Sequence, residues 1–262
     1  MVWLNGEWKE EGAAGLPVDD GAFLRGEGVF ETMLALNGKV FALEKHWERF
    51  QAGGERFEME VPKLASAFSI VKELLARNSF EEGARVRVRA TQSRQTLLFT
   101  AQESAPLPEK LDLRTTPFRR NEKGSLVGIK AISYSENTVA LAQGKKEGAH
   151  EVLFANTAGN WCEGAWTNVF AVENGVLLTP PLSSGCLPGV TREIVIALAE
   201  EIGAEVREEE RSLSSLASLN EFFLTSSLLG VGAVRLFDGR ELGEGALTKK
   251  LARLLLEREE AL

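Results

Sequence analysis

The chain has few cysteines and no long apolar run. Cys162 and Cys186 are the only cysteines among 262 residues, too few for a disulfide framework or, by themselves, for a zinc site, so we predict no metal. No stretch approaches the roughly 20 apolar residues that span a bilayer. The first residues lack the basic and apolar regions of a signal peptide, and we therefore expect a cytoplasmic protein.

The chain carries less positive than negative charge, with 30 Lys and Arg against 38 Asp and Glu. The formal net charge is −8, and there is no basic tail, so a nucleic-acid or membrane partner is not expected. Hydrophobic residues make up 44% of the chain and charged residues 26%, which is typical of a globular protein. The length is sufficient for two medium domains, each with its own core.

Tight-turn dipeptides recur between apolar runs. Asn-Gly and Asp-Gly adopt the positive φ angles of two-residue hairpins, and four such turns predict substantial antiparallel sheet. They stand at Asn5-Gly6, Asn37-Gly38, Asn174-Gly175 and Asp238-Gly239.

Helical periodicity and strand alternation fill the remaining segments. Helices are predicted at 43–57, 62–78, 135–147, 191–203 and within 241–262, and residues 85–101 alternate as a strand pair. The polar segment 116–124 lacks periodicity and is the best candidate for a linker. We therefore predict an α+β protein with an N-terminal domain at 1–115 and a C-terminal α/β domain at 125–262.

A lysine, an acid and a predicted helix start could serve one kind of chemistry. Lys130 lies in a mostly apolar run, which favours a neutral, nucleophilic amine, although such lysines commonly extend to water. Glu163 precedes a predicted strand. Thr191 stands where an N-cap would, at a helix start that favours phosphate or is simply capped. Together they are what a pyridoxal-phosphate site requires.

The motifs follow the order of a known family. They resemble those of the class IV, fold-type IV, pyridoxal-phosphate enzymes over nearly the whole chain, a group that includes branched-chain and D-amino-acid aminotransferases and aminodeoxychorismate lyases. The segments are DDGAFLRGEGVFET, HWERF, the lysine region, EGAWTNVF, LPGVTR and LTSSLLG.

The resemblance implies a fold and a set of site residues. It implies a small N-terminal α/β domain, a larger C-terminal domain with an antiparallel or mixed sheet, pyridoxal 5′-phosphate in the interdomain cleft, and a homodimer. Lys130 would attach the cofactor and move the proton, Glu163 would face the pyridine nitrogen, and Tyr134 would lie beside the ring. The implied phosphate contacts are Arg49, Val190, Thr191, Ser226 and Ser227. Phe30 and Thr32, two apart on one strand face, would line the substrate side.

Several arginines depart from or extend this pattern. Arg25 precedes Gly26-Glu27-Gly28, where the family has an aromatic or apolar residue, and either pairs with an acid, which we favour, or binds a substrate carboxylate. Arg87 or Arg94 could likewise hold a dicarboxylate, although a solvated strand face is the simpler interpretation.

Three functions fit these residues. The favoured one is a 4-amino-4-deoxychorismate lyase of folate biosynthesis, which releases pyruvate and forms 4-aminobenzoate, because Thr32 and the LTSSLLG turn match lyase-like members. The alternative is an aminotransferase acting on branched-chain L-amino acids or on D-amino acids. A cofactor-binding protein without catalysis is the third.

Overall fold

The chain folds into two compact units. A computed structural model describes residues 1–105, 108, 110–243 and 245–262. The first unit comprises Met1–Pro106, Ile129–Tyr134 and Glu259–Leu262, and the second comprises Leu107–Gly128 and Ser135–Arg258. No helix in this described part is long and apolar enough to cross a membrane.

The first unit is built on an antiparallel sheet covered by helices. Its strand order is β2-β1-β6-β5-β3-β4, and Trp47, Phe50 and Leu74 on the helices pack against Met33 and Val88 of the sheet. The strands are β1 (Val2–Leu4), β2 (Glu7–Lys9), β3 (Val29–Leu36), β4 (Lys39–Val40), β5 (Val86–Gln92) and β6 (Leu97–Glu103). The helices are α1 (Gly21–Arg25), α2 (Leu43–Arg56), α3 (Leu64–Asn78) and a 3-10 turn (Glu11–Ala13).

The second unit contains a nine-stranded mixed sheet, ordered β12-β11-β10-β13-β14-β7-β8-β9 with β15 paired to β14. The strands are β7 (Lys110–Arg120), β8 (Glu151–Asn156), β9 (Trp161–Gly164), β10 (Asn168–Glu173), β11 (Val176–Thr179), β12 (Val206–Glu208), β13 (Glu221–Ser226), β14 (Gly230–Phe237) and β15 (Arg240–Glu241). The helices are α4 (Ser135–Lys146), α5 (Val190–Glu201), α6 (Ala246–Glu260) and two 3-10 segments (Leu182–Ser184 and Leu213–Ser218).

All four predicted tight turns are hairpins. Each connects two antiparallel strands, and its first residue has a φ between 48° and 51°. The backbone twist of such turns matches the twist of the strands they join, and for this reason the dipeptide alone identified them. The predicted helices are likewise present as α2 to α6, with ends shifted by a few residues.

The predicted linker at 116–124 differs from the structure. Residues 116–120 belong to β7, and the division into units falls after Pro106 rather than after residue 115. The pairing of β7 with β8 shifts register between Thr115 and Arg119, a stretch that contains Pro117. Proline has no N–H to donate to a sheet, so it is accommodated at such an irregularity and conceals the strand in the sequence.

One short segment returns to the first unit and places the predicted lysine there. Ala131 pairs with Val29 at the start of β3, and the Ile132 N–H donates to the Gly28 oxygen at 2.9 Å. Gly28 has a φ of 140°, and a Cβ on it would lie 2.2 Å from the Gln92 oxygen. The close approach of these three backbones therefore requires glycine.

Candidate active site

Lys130 lies between two aromatic rings in the first unit. Its oxygen accepts a hydrogen bond from the Phe30 N–H at 2.9 Å, which fixes the lysine beside β3. The Nζ atom is 4.6 Å from the centroid of the Phe30 ring and 5.5 Å from that of Tyr134, and the two rings meet edge to face at 5.3 Å. The structure thus brings together three of the predicted residues: the lysine, an aromatic of the substrate side and the tyrosine.

A second cation lies over the same phenylalanine. Arg89 Cζ is 5.5 Å from the Phe30 ring centroid, and Arg89 pairs across the sheet with Thr32, so both point to the face that carries Phe30. The Arg89 Nε is buried and makes no hydrogen bond with any residue that the structure describes. Burial, reinforced by the neighbouring charge of Arg87, lowers the pKa of Arg89. A partly buried guanidinium in this state favours an anion beside it.

The arginines chosen from sequence are engaged elsewhere. Arg87 hydrogen-bonds to the Gln102 side chain, and the exposed Arg94 lies 3.8 Å from Glu58. Arg25 pairs with Glu27, with a Nε–Oε1 distance of 2.6 Å, which is the pairing that we favoured. Sequence reasoning missed Arg89 as a candidate anion contact, although residues two apart on a strand, such as Arg87 and Arg89, point to the same face.

Arg49 is held by a buried acid. Its Nε and Nη2 donate to the two carboxylate oxygens of Glu31 at 2.7 and 2.8 Å, and His46 Nδ1 lies 2.9 Å from Glu31 Oε2. Burial of Glu31 opposes its ionisation, but Arg49 and the hydrogen bond from His46 outweigh this and hold the pKa of Glu31 well below its ordinary range. The predicted phosphate contact therefore belongs to a fixed ionic cluster.

Glu163 is the predicted partner of the pyridine nitrogen and lies on β9 of the second unit. One of its oxygens accepts from the Leu187 N–H at 2.9 Å, and the other is 3.0 Å from Arg120 Nε. Arg120 in turn lies 4.2 Å above the Phe154 ring. The acid is thus held by one cation and one main-chain donor. Arg120 had been assigned to the linker and was missed as a site residue.

The start of α5 presents main-chain N–H groups. The helix begins at Val190, and Gly189 rather than Thr191 is its N-cap residue, which corrects the sequence-based placement of Thr191. Within the described part of the chain, no side chain caps this end. A Cβ on Gly189 would lie 2.0 Å from Asn168 Oδ1, so a larger residue at this position would require the Asn168 side chain to move. Uncapped N–H groups and the helix dipole favour an anion.

Hydroxyl groups lie at the end of β13, a strand that packs against α5 in the second unit. Thr225 Oγ1 is buried and has no hydrogen-bond partner within the described residues. Ser226 Oγ accepts from the Leu229 N–H at 3.3 Å, which closes the turn that contains Ser227. An unsatisfied hydroxyl and a glycine-bounded helix start fit a phosphate group, and an amine between two rings fits the aldehyde end of a pyridoxal.

The predicted residues therefore fall into two groups, each within one unit. The first unit holds Phe30, Thr32, Arg49, Lys130 and Tyr134. The second unit holds Glu163, Val190, Thr191, Ser226 and Ser227.

Known proteins resemble this chain over most of its length. Residues 28–237 match the family described as "Amino-transferase class IV". A candidate branched-chain-amino-acid aminotransferase of Methanocaldococcus jannaschii is 31% identical over 95% of this chain and 93% of its own. The aminodeoxychorismate lyase of Bacillus subtilis strain 168 is 30% identical over 88% of this chain and 84% of its own.

A solved structure extends the similarity to the fold. The branched-chain aminotransferase of the thermophilic archaeon Thermoproteus uzoniensis, determined with norvaline, superposes with a TM-score of 0.91 at 28% identity and covers 99% of this chain and 96% of its own. The chain belongs to the class IV aminotransferase family. It has the fold of type IV pyridoxal-phosphate enzymes, and enzymes of this family use pyridoxal 5′-phosphate.

Proposed function

We propose that the protein is a 4-amino-4-deoxychorismate lyase. In this reaction the bond between the ring and the enolpyruvyl oxygen breaks, pyruvate leaves, and the ring loses a proton as it becomes 4-aminobenzoate. The observation that carries the proposal is the shared strand face of Phe30, Thr32 and Arg89 beside the Lys130 amine. This arrangement offers a proton carrier, a hydroxyl and an anion contact to a substrate that bears carboxylates.

The cofactor, when bound, supplies an electron sink for the bond that breaks. Lys130 would attach it and carry the substrate proton on Nζ, and Tyr134 would lie beside the cofactor ring. Glu163 would face the pyridine nitrogen, and Arg120 would orient Glu163 through their ion pair. The phosphate contacts in this proposal are Arg49, Val190, Thr191, Ser226 and Ser227.

An aminotransferase is the second candidate. The Methanocaldococcus jannaschii relative supports it, since that protein aligns with 95% of this chain. Here Lys130 would move a proton from the α-carbon of an amino acid, and a 2-oxo acid would later collect the amino group. Branched-chain L-amino acids and D-amino acids are both candidate donors, because one hydrophobic pocket contact discriminates by only about 1–3 kcal/mol.

A divided assay on cofactor-loaded protein distinguishes the two. One half supplies 4-amino-4-deoxychorismate and follows pyruvate and 4-aminobenzoate. The other supplies D-alanine, L-leucine or L-glutamate and follows the loss of the cofactor's visible absorbance. Rapid pyruvate release with slow bleaching supports the lyase, and the reverse result assigns an aminotransferase whose donor is the amino acid that bleaches the band.

The remaining expectations belong to the same proposal. A yellow protein whose visible band disappears on borohydride treatment supports attachment of the cofactor to Lys130, and an identical band in Lys130→Ala protein contradicts it. Absence of any band would instead favour a protein that has lost the cofactor. We further propose a homodimer located in the cytoplasm, acting on a small amino substrate.

A further inference from the structure

Glu31, His46 and Arg49 form a buried ionic cluster on the helix-covered side of β3. Glu31 is fully buried, the His46 side chain is 2% exposed, and the Arg49 side chain is 12% exposed. The carboxylate receives two arginine N–H bonds, one contact from His46 and one bond from the Thr32 N–H at 3.2 Å. Glu31 is therefore tied both to its own strand and to α2.

The carboxylate of Glu31 fixes the plane of the Arg49 guanidinium. It binds one N–H on Nε and one on Nη2, so one edge of the guanidinium faces both carboxylate oxygens. A two-bond contact also removes rotational freedom from a long side chain that would otherwise lose it on binding a ligand.

His46 supplies a directed hydrogen bond rather than a charge. Because an ionised carboxylate can only accept, the proton of the contact lies on His46 Nδ1. Burial lowers the pKa of His46, the contact with Glu31 opposes this, and the positive charges of Arg49 and Lys130 lower the pKa further. The lowered pKa favours the neutral histidine, and the ion pair of Glu31 is made with Arg49.

We propose that Glu31 and His46 are positioning residues that hold the Arg49 guanidinium ready for the phosphate of the cofactor. The proposal rests on the phosphate role given to Arg49 in the proposed function. A purely structural role explains the cluster less well, because buried ion pairs are commonly no more stabilising than apolar residues of equal volume. Pre-organisation of a donor, in contrast, increases affinity directly.

The test compares pyridoxal 5′-phosphate with pyridoxal, which has the same ring and aldehyde but no phosphate. Titration of cofactor-free full-length protein gives Kd for each compound. The ratio of the Kd of pyridoxal to the Kd of pyridoxal 5′-phosphate, called the Kd ratio below, reports the phosphate contacts alone. Glu31→Gln should weaken binding of the phosphorylated form by roughly tenfold to a hundredfold and change pyridoxal binding by less than threefold. Equal losses for both compounds would overturn the proposal.

Three further variants keep the result interpretable. His46→Asn retains a donor near the Nδ1 position and should preserve the Kd ratio, whereas His46→Leu should lower the Kd ratio. If Glu31→Gln does not fold, the comparison of these two His46 variants tests the positioning role instead. Arg49→Lys is the reference. If it leaves the ratio unchanged, the phosphate role of Arg49 fails; if it lowers the ratio while the Glu31 and His46 variants do not, only the positioning role fails.

Discussion

Arg89 has a buried Nε with no hydrogen-bond partner among the described residues. The neighbouring Arg87 adds a like charge, and the face that Arg89 shares with Phe30 also carries the Lys130 amine. A bound carboxylate would satisfy the guanidinium and offset the repulsion. Substrate binding and not cofactor binding should therefore depend on this residue.

We expect Arg89→Met to raise KM for the carboxylate-bearing substrate by roughly tenfold to a hundredfold, because a charged hydrogen bond is lost. The Kd for pyridoxal 5′-phosphate should stay within about threefold of the wild type. Arg94→Met, at an exposed position, is the matched control and should leave both values unchanged. An unaltered KM in the Arg89 variant would exclude the carboxylate contact.

The buried histidine predicts a pH dependence of stability. The folded pKa of His46 lies below the 6.5 of an unperturbed histidine, so the unfolded chain takes up this proton first as the pH falls. The free energy of unfolding should therefore decrease below about pH 6.5, by up to about 1.4 kcal/mol per pH unit. The folded pKa of Glu31 is also lowered, and a further loss should follow below its unperturbed value of 4.5.

Urea unfolding at pH 7, 6 and 5 measures the histidine contribution. His46→Asn should flatten the dependence between pH 7 and 5, whereas His150→Asn, at an exposed position, should not. An unchanged slope in the His46 variant would show that other groups titrate in this range.

The site residues that could be predicted are those that lie in recognisable sequence motifs. Lys130, Phe30 and Tyr134 were identified through motif resemblance, and the structure places them together. The choice between Arg87 and Arg89 could not be made in this way. It depends on the register of β5 against β6, which sets Gln102 directly opposite Arg87 and Thr100 opposite Arg89. The register of a hairpin depends on the type and length of the turn that joins its strands, so the sequence of either strand alone does not determine it.

At the level of elements, the start of β3 has the strictest requirement. Gly28 combines a φ of 140° with a Cβ position 2.2 Å from the Gln92 oxygen, and its own oxygen binds the segment that carries Lys130. Any side chain there must displace one of three paired backbones. The segment that carries Lys130 makes fewer backbone pairs than β3 or β5, so we expect a side chain at position 28 to displace this segment first.

We expect Gly28→Ala to destabilise the protein by several kcal/mol and to reduce cofactor attachment, since both strain and a clash are introduced. Gly83→Ala is the control, because Gly83 also has positive φ but open space around its Cβ position, and it should cost only about 1 kcal/mol. Thermal unfolding and the visible absorbance of loaded protein measure the two effects. Equal behaviour of the two variants would contradict this account of β3.

The helices and strands that could be predicted are those that a short stretch of sequence determines. The hairpins follow from two-residue turns, and α2 and α3 follow from helical periodicity, so both were identified. The strand β7 was missed because its residues are largely polar and Pro117 interrupts the alternation. The pairing of Ala131 with Val29 joins residues about a hundred positions apart, and no local pattern indicates it.

For the molecule as a whole, the two thiols report global opening. Cys162 and Cys186 are both buried in the second unit, and burial raises the pKa of Cys162 and raises that of Cys186 to about 11. At pH 8 only about one Cys186 thiol in a thousand would be ionised. An aromatic disulfide reagent should therefore react with neither thiol in native protein within minutes and with both in denaturant. Ser215→Cys, at an exposed position, should react at once, and fast labelling of the unmodified protein would contradict the buried placement.

An ordered segment exposes several large apolar side chains. It is anchored by Asp20, which is buried and accepts a hydrogen bond from Ser93 Oγ at 2.9 Å. Exposed apolar groups on a fixed backbone are typical of a protein interface. The side chains and their exposures are Leu16 at 50%, Val18 at 86%, Phe23 at 77% and Leu24 at 53%.

The proposed homodimer would bury this surface. Sedimentation of the loaded enzyme should give twice the chain mass of 28.6 kDa. Phe23→Asp should weaken self-association at least about tenfold, because a charge would be desolvated among apolar groups. Phe68→Asp, which changes an exposed phenylalanine of α3, should leave the mass unchanged. A single-chain mass for the unmodified enzyme at full activity would refute the dimer, and a Phe23→Asp protein that remains dimeric would place the interface elsewhere.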